Sequence, residues 1–133
     1  MRVLVLCTGN SARSQMAEEF LRAMDRGLEV YSAGTEPAER VNPYAVEVMR
    51  EVGIDLGESR PKPVEPFLGE AFDLVITVCG EAERNCPVFR GHVGRRVHIG
   101  FEDPARAVGS PEEVRGVFRK VRDRIQDRMK DVL

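Results

Sequence analysis

No stretch of this sequence stays apolar for anything near the roughly 20 residues that a membrane-spanning helix needs, so no membrane partner is expected. Tryptophan is absent, histidine occurs twice and cysteine three times, at Cys7, Cys79 and Cys86. Three thiols cannot all pair within one chain, which excludes a closed disulfide framework and points to reactive thiols or a metal site. Neither sign of charge is in excess: 20 Lys and Arg against 22 Asp and Glu leave a net charge of −2. That balance gives no general reason to expect nucleic acid as a partner. Internal repeats and low-complexity segments are also missing. The first apolar run, Val3 to Leu6, is too short for a secretory signal core and is broken by Cys7, so a cytoplasmic protein is expected.

What is present suits one domain over residues 1–133, with 42% hydrophobic residues and enough length to bury about two-thirds of its unfolded surface. Val3-Leu4-Val5-Leu6 reads as a buried strand, and a helix is predicted from Ser14 to about Arg26. Leu28 to Ala33 alternates as a second strand. Asn42-Pro43 opens a helix that runs to Val52, with Gly53 placed to end it. Residues 55 to 67 carry three prolines and read as an irregular connection, with a short helix near Glu65 to Gly69. Phe72 to Val78 is a third strand, Arg95 to Ile99 an edge strand, and Ser110-Pro111-Glu112-Glu113 caps a long terminal helix. Val114, Val117, Phe118, Val121, Ile125, Met129 and Val132 give that helix its apolar face, and its charged residues read as a solvated face. Strands alternating with helices predict an α/β fold: a four-stranded parallel sheet of order 2-1-3-4 with helices on both faces. In such sheets ligands bind beyond the C-terminal strand ends, between strands 1 and 3.

That crevice is where Cys7-Thr8-Gly9-Asn10-Ser11-Ala12-Arg13-Ser14 falls. The loop lies between a strand and a helix N-terminus, where unpaired N–H groups and the helix dipole favour an oxyanion. Thr8, Gly9, Asn10, Ser11, Ala12, Arg13 and Ser14 are therefore the candidate oxyanion-binding residues. Arg13 can grip two oxygens with its planar fork, Gly9 and Asn10 suit positive φ angles, and Ser14 can donate a hydroxyl. The same surroundings predict a depressed pKa for Cys7, and thiolate is the nucleophile.

If strands 1 and 3 are neighbours, their axes lie about 5 Å apart and Cys7 and Cys79 leave the same sheet edge. Cys79 then comes within disulfide reach of Cys7. Cys86 follows seven residues later, about 10.5 Å along an intact helix, so joining it to Cys79 requires the segment 80 to 85 to unwind, which Gly80 eases. The arrangement predicts a relay in which Cys7 attacks the oxyanion, Cys79 attacks the Cys7 adduct, and Cys86 captures Cys79 as a disulfide for an external dithiol to reduce. A zinc reading through His92 and His98 does not match common ligand spacings. No metal site is assigned.

Cysteine, five residues, arginine and serine between a strand and a helix resemble the phosphate-binding signature of cysteine-based phosphatases. The wider Thr-Gly-Asn-Ser-Ala-Arg-Ser-Gln-Met-Ala-Glu resembles the low-molecular-weight phosphatase superfamily, which includes thioredoxin-coupled arsenate reductases. Val78-Cys79-Gly80, Asn85-Cys86-Pro87 and Gly100-Phe101-Glu102-Asp103-Pro104-Ala105 are similar to the latter family, over essentially the whole chain. The resemblance implies reduction of arsenate to arsenite through the three thiols, thioredoxin as electron donor, no tightly bound cofactor, and Asp103 as general acid. Read from the residues alone, Asp103 before Pro104 caps a turn. Many relatives carry a further cysteine where Ala12 stands, which the relay does not need. Some bind potassium near the loop; Asn10, Glu18 and Ser32 match those positions, but Lys62 stands in place of the last acidic ligand, which puts potassium dependence in doubt.

The alternative is a low-molecular-weight tyrosine or small-phosphoester phosphatase using Cys7, Arg13 and Asp103 through a phosphocysteine. Such phosphatases usually carry tyrosines after the Asp-Pro pair, whereas Ala105 and Arg106 follow here; weak phosphatase side activity is the remaining expectation. A phosphoryl carrier would leave Cys79 and Cys86 unexplained.

Overall fold

The computed structural model describes residues 1–133. Four parallel strands, β1 (Arg2–Cys7), β2 (Glu29–Gly34), β3 (Phe72–Thr77) and β4 (Val93–His98), form one sheet of order β2-β1-β3-β4. The order agrees with the sequence expectation. β1 is sheathed by strands on both sides, with Leu4 paired to Tyr31 and to Val75, which is why Val3 to Leu6 are all fully buried. Helix α1 (Arg13–Met24) packs on β1, β2 and α4 (Pro111–Val132); α4 also packs on α2 (Pro43–Arg50), and the short α3 (Gly80–Arg84) leans on β1 and β3. A contiguous core of 33 buried residues joins these elements. No helix is long and apolar enough to cross a membrane.

Where element ends depart from the sequence reading, local hydrogen bonds decide. α1 stops at Met24 rather than Arg26 because Asp25 is extended and its carboxylate accepts the Gly27 N–H at 2.9 Å. α2 ends two residues before Val52 in a left-handed cap. Gly53 has φ +82°, its N–H reaches Arg50 O, and Ile54 N–H reaches Met49 O, the two bonds of a Schellman motif. β4 starts at Val93, before the expected Arg95; Gly94 disguised its beginning, since glycine is depleted in strands. The short helix expected at Glu65 to Gly69 is a 3-10 turn at Glu65–Phe67.

Helix α4 carries the predicted capping box at Ser110 and Glu113, and it buries Phe118, Val121, Ile125, Met129 and Val132 as expected. Its charged residues are not all solvated. Arg122 is buried, donating to Val48 O at 2.9 Å and to Glu51 at 2.8 Å, so it ties α4 to the end of α2. A guanidinium is tolerated there because a carboxylate and a carbonyl both receive it.

Candidate active site

At the C-terminal edge of the sheet a cavity of about 450 Å³ is lined by Cys7, Thr8, Gly9, Ser11, Ala12, Arg13, Cys79, Gly80, Glu81, Arg84, Asp103, Ala105 and Arg106. β1 ends at Cys7, β3 delivers Cys79 after Val78, and the loop leaving β4 supplies Asp103. Because β1 and β3 are paired neighbours, two thiols far apart in sequence meet at the head of one crevice. Cys7 and Cys79 are both buried and line the same cavity.

Asn10 organises the loop from beneath. It has φ +52°, the one non-glycine residue in the left-handed region, and it is fully buried. Its Nδ2 donates to Ser14 Oγ at 2.7 Å and Ser32 Oγ at 2.9 Å, while its Oδ1 accepts from Lys62 N at 2.9 Å and Gln15 Nε2 at 3.1 Å. Asn10 takes the positive φ expected of it, whereas Gly9 does not; neither Asn10 nor Ser14 lines the cavity, so the Ser14 hydroxyl expected as a donor there is turned away from it. Ser14 Oγ is turned inward, where it accepts from Asn10 Nδ2, and α1 begins at Arg13, one residue earlier than predicted.

Close packing behind the loop comes from Gly34, at the end of β2. A Cβ there would lie 2.4 Å from Thr8 O and 3.1 Å from the Asn10 Cβ, so only glycine fits. Gly34→Val is expected to destabilise the fold by about 1–3 kcal/mol through overpacking. A lower urea midpoint with unchanged slope checks this, and an unchanged midpoint contradicts it.

Arg13 has a side chain only 13% exposed. Its Nη1 donates to Phe101 O at 3.1 Å, and its Nη2 stands 3.6 Å from Asp103 Oδ2. The fork is thus braced from one side and faces a carboxylate. Asp103 also caps the turn Pro104–Arg106, its Oδ1 accepting from Ala105 N at 3.0 Å, as the plain reading of an Asp-Pro pair implies.

The thiols depart from expectation in one respect. Cys79 is lowered to about 5, first because its sulfur accepts from the Cys7 thiol, then from Thr8 and the Ala82 N–H, with Arg13 adding attraction. Thr8 Oγ1 is 3.3 Å from Cys79 Sγ, and the Ala82 N–H reaches that sulfur at 3.4 Å. Cys7 is raised, by donating to Cys79 and by burial, against the pull of Arg13. Each thiol acts on the other, so the direction is down for Cys79 and up for Cys7. Reading the loop alone predicted the reverse, since a neighbouring sulfur across the sheet is invisible from residues 7 to 14.

Cys86 does not join this group. It lies beyond α3 on a separate cavity of about 160 Å³ lined by Val75, Thr77, Glu83, Arg96, Val97 and His98, with Arg96 Nη1 3.7 Å from its sulfur. Val75 and Thr77 pair with Arg96 and His98, so one face of β3 and β4 forms its floor.

The positions that resemble a cation site are fully engaged. Ser32 Oγ donates to the buried Glu18, Arg22 Nη2 holds Glu18 Oε2 at 2.8 Å, and Lys62 Nζ stands 3.8 Å from Glu18 Oε1. With Asn10 Oδ1 already accepting two N–H groups, these residues do not fit a potassium ion. Two cations of the protein itself neutralise Glu18.

Sequence reading missed Glu81, Arg84 and Arg106 as cavity residues, and Gln15 and Gly34 as supports. Only Gly34 left a signal, a glycine at a strand end where a backbone approaches closely.

The family model described as low molecular weight phosphotyrosine protein phosphatase matches residues 2–133. An arsenate reductase of Bacillus licheniformis is 47% identical over 129 residues, covering 96% of this chain and 91% of that protein. A solved arsenate reductase in the phosphate binding state superposes with a TM-score of 0.78 at 30% identity, covering 98% of this chain and 95% of the other. A thioredoxin-dependent arsenate reductase of Corynebacterium glutamicum gives a TM-score of 0.64 at 27% identity, covering 98% of this chain and 60% of that one.

Proposed function

The chain belongs to the low molecular weight phosphotyrosine protein phosphatase family, and from that premise we propose that it reduces arsenate to arsenite by a three-thiol relay recycled by thioredoxin. The observation that carries this reading is the meeting of Cys7 and Cys79 in one cavity with Arg13 and Asp103. A phosphatase needs only the first of these thiols. The absence of any aromatic wall in that cavity also favours a small oxyanion over an aryl phosphate, although arsenate and phosphate share shape and charge and a weak phosphatase side activity follows.

In the proposed sequence the oxyanion is held by the N–H groups of Thr8 to Ser14 and by the Arg13 fork. Cys7 passes its proton to the Cys79 thiolate as its sulfur attacks arsenic. One As–O bond breaks, and Asp103 protonates the departing oxygen, which leaves as water. Cys79 then returns a proton to the Asp103 carboxylate across the same cavity and attacks Cys7 sulfur. The S–S bond forms as the S–As bond breaks, and its electron pair remains on arsenic, which leaves as arsenite. Finally Cys86 thiolate attacks Cys79, freeing Cys7, and thioredoxin reduces the Cys79–Cys86 disulfide by thiol exchange.

Arsenate-dependent NADPH oxidation in the presence of thioredoxin and thioredoxin reductase tests the reading. Rates above the arsenate-free background are expected, and their absence overturns it. Replacing sodium chloride by potassium chloride at equal ionic strength is expected to change the rate by less than about twofold, because Lys62 and Arg22 already balance Glu18.

A further inference from the structure

Arg84 is the last residue of α3 and lies four positions after Gly80. Residues spaced by four stack on one helix face, and helical side chains lean towards the N-terminus. Its guanidinium accordingly folds back along α3, with Nη1 3.1 Å from where a Gly80 Cβ would sit, and it forms part of the cavity wall that holds Cys7 and Cys79. The other two arginines of that wall face Asp103, Arg13 at 3.6 Å and Arg106 at 3.8 Å. Arg84 faces no carboxylate within ion-pair distance. Its charge is therefore directed at the cavity without a protein partner, and a divalent oxyanion is the group that complements it there.

The same placement depends on α3 being wound. Cys79 caps the start of α3 through its sulfur and Cys86 lies beyond its end, on a different cavity. A disulfide between them requires Cα atoms about 4.4 to 6.8 Å apart, which a wound segment from 80 to 85 does not allow. Unwinding removes the four-residue stacking that sets Arg84 over Gly80.

We propose that Arg84 is an oxyanion-binding residue of the reduced protein that α3 withdraws when the Cys79–Cys86 disulfide forms, so that oxyanion affinity follows the redox state. This rests on the thiol relay proposed above. The oxidised protein, which has no free nucleophile pair, then no longer retains the oxyanion while it awaits its reductant.

Calorimetric titration with inorganic phosphate in a Cys7→Ser background, where only the Cys79–Cys86 disulfide can form, tests the proposal. For the reduced protein, Arg84→Gln is expected to weaken phosphate about tenfold, the loss of one charge-assisted contact. Arg84→Lys recovers part of this, and Arg128→Gln, an exposed arginine on α4, changes affinity by less than about twofold. After oxidation, the proteins with Arg84 and with Arg84→Gln should bind phosphate equally weakly. Equal effects of Arg84→Gln and Arg128→Gln in the reduced state overturn the binding role. A tenfold Arg84→Gln effect that survives verified disulfide formation overturns the redox coupling alone. If free-thiol counting shows that Cys79 and Cys86 do not pair on oxidation, the relay fails and the coupling fails with it.

Discussion

Arsenate turnover with thioredoxin is expected to stop in Cys7→Ser, Cys79→Ala and Cys86→Ala, and to stop at a different species in each. Loss of Cys7 removes the nucleophile, so no arsenite forms, a fall on the order of 10⁴ to 10⁶ by analogy with other nucleophile deletions. Without Cys79 the arsenic adduct on Cys7 has no thiol to resolve it, and it returns to arsenate. Without Cys86 the first two steps remain, so each protein releases one equivalent of arsenite and then stays locked as a Cys7–Cys79 disulfide. Rapid quench with arsenite quantification distinguishes the three, and free-thiol mass analysis identifies the final disulfide. Full turnover in Cys79→Ala and Cys86→Ala would remove the relay and leave a single-cysteine enzyme. p-Nitrophenyl phosphate hydrolysis, by contrast, is expected to need Cys7 and to survive in both resolving-thiol variants.

The position of Cys86 makes the last step conformational. Its sulfur lies against Arg96 on the floor formed by β3 and β4, not in the cavity of the other two thiols. α3 intervenes, but it is only five residues long, flanked by the bonds Glu83 N–H to Cys79 O and Asn85 N–H to Glu81 O. Isolated helices of that length are unstable, so breaking it costs little. The Cys79 sulfur, which accepts the Ala82 N–H, is itself the cap of this helix. A disulfide sulfur is a weaker acceptor than a thiol or thiolate, so oxidising Cys79 weakens the cap of this helix in the same step.

The sheet order could be read from the sequence because Val3 to Leu6 and Phe72 to Thr77 are short apolar runs separated by helical patterns, and right-handed crossovers leave few arrangements. The place of the loop from Cys7 to Ser14, at the end of β1 and the start of α1, was equally readable, since it follows the first apolar run directly. What could not be read depends on neighbours across the fold. The upward shift of Cys7 follows first from a sulfur 72 positions away across the β1–β3 pair. The inward turn of Ser14 follows from Asn10, whose own geometry is fixed by Ser32 and Lys62. Arg122 looked like one more charge on a long polar helix face, and only the packing of α2 on α4 shows that its guanidinium is enclosed. Arg84 and Arg106 had no local pattern to separate them from the other arginines.

Replacing Asp103 by asparagine is expected to lower kcat by about 10² to 10⁴, the usual contribution of a positioned proton donor, without weakening the grip on the oxyanion. The two functions of the side chain separate in this variant. As a cap, Asp103 Oδ1 accepts the Ala105 N–H, and asparagine caps as well as aspartate, so the turn Pro104–Arg106 is retained. As a charge, Asp103 stands 3.6 Å from Arg13 and is partly exposed, where solvent screening keeps an ion pair weak. Arg13 remains braced by the Phe101 carbonyl, and removing a competing carboxylate leaves its fork free for the substrate. Phosphate titration of Asp103→Asn should therefore show equal or tighter binding while single-turnover arsenite release slows. A parallel loss of affinity and rate would mean that Asp103 only positions Arg13, and an unchanged kcat would exclude it as the acid.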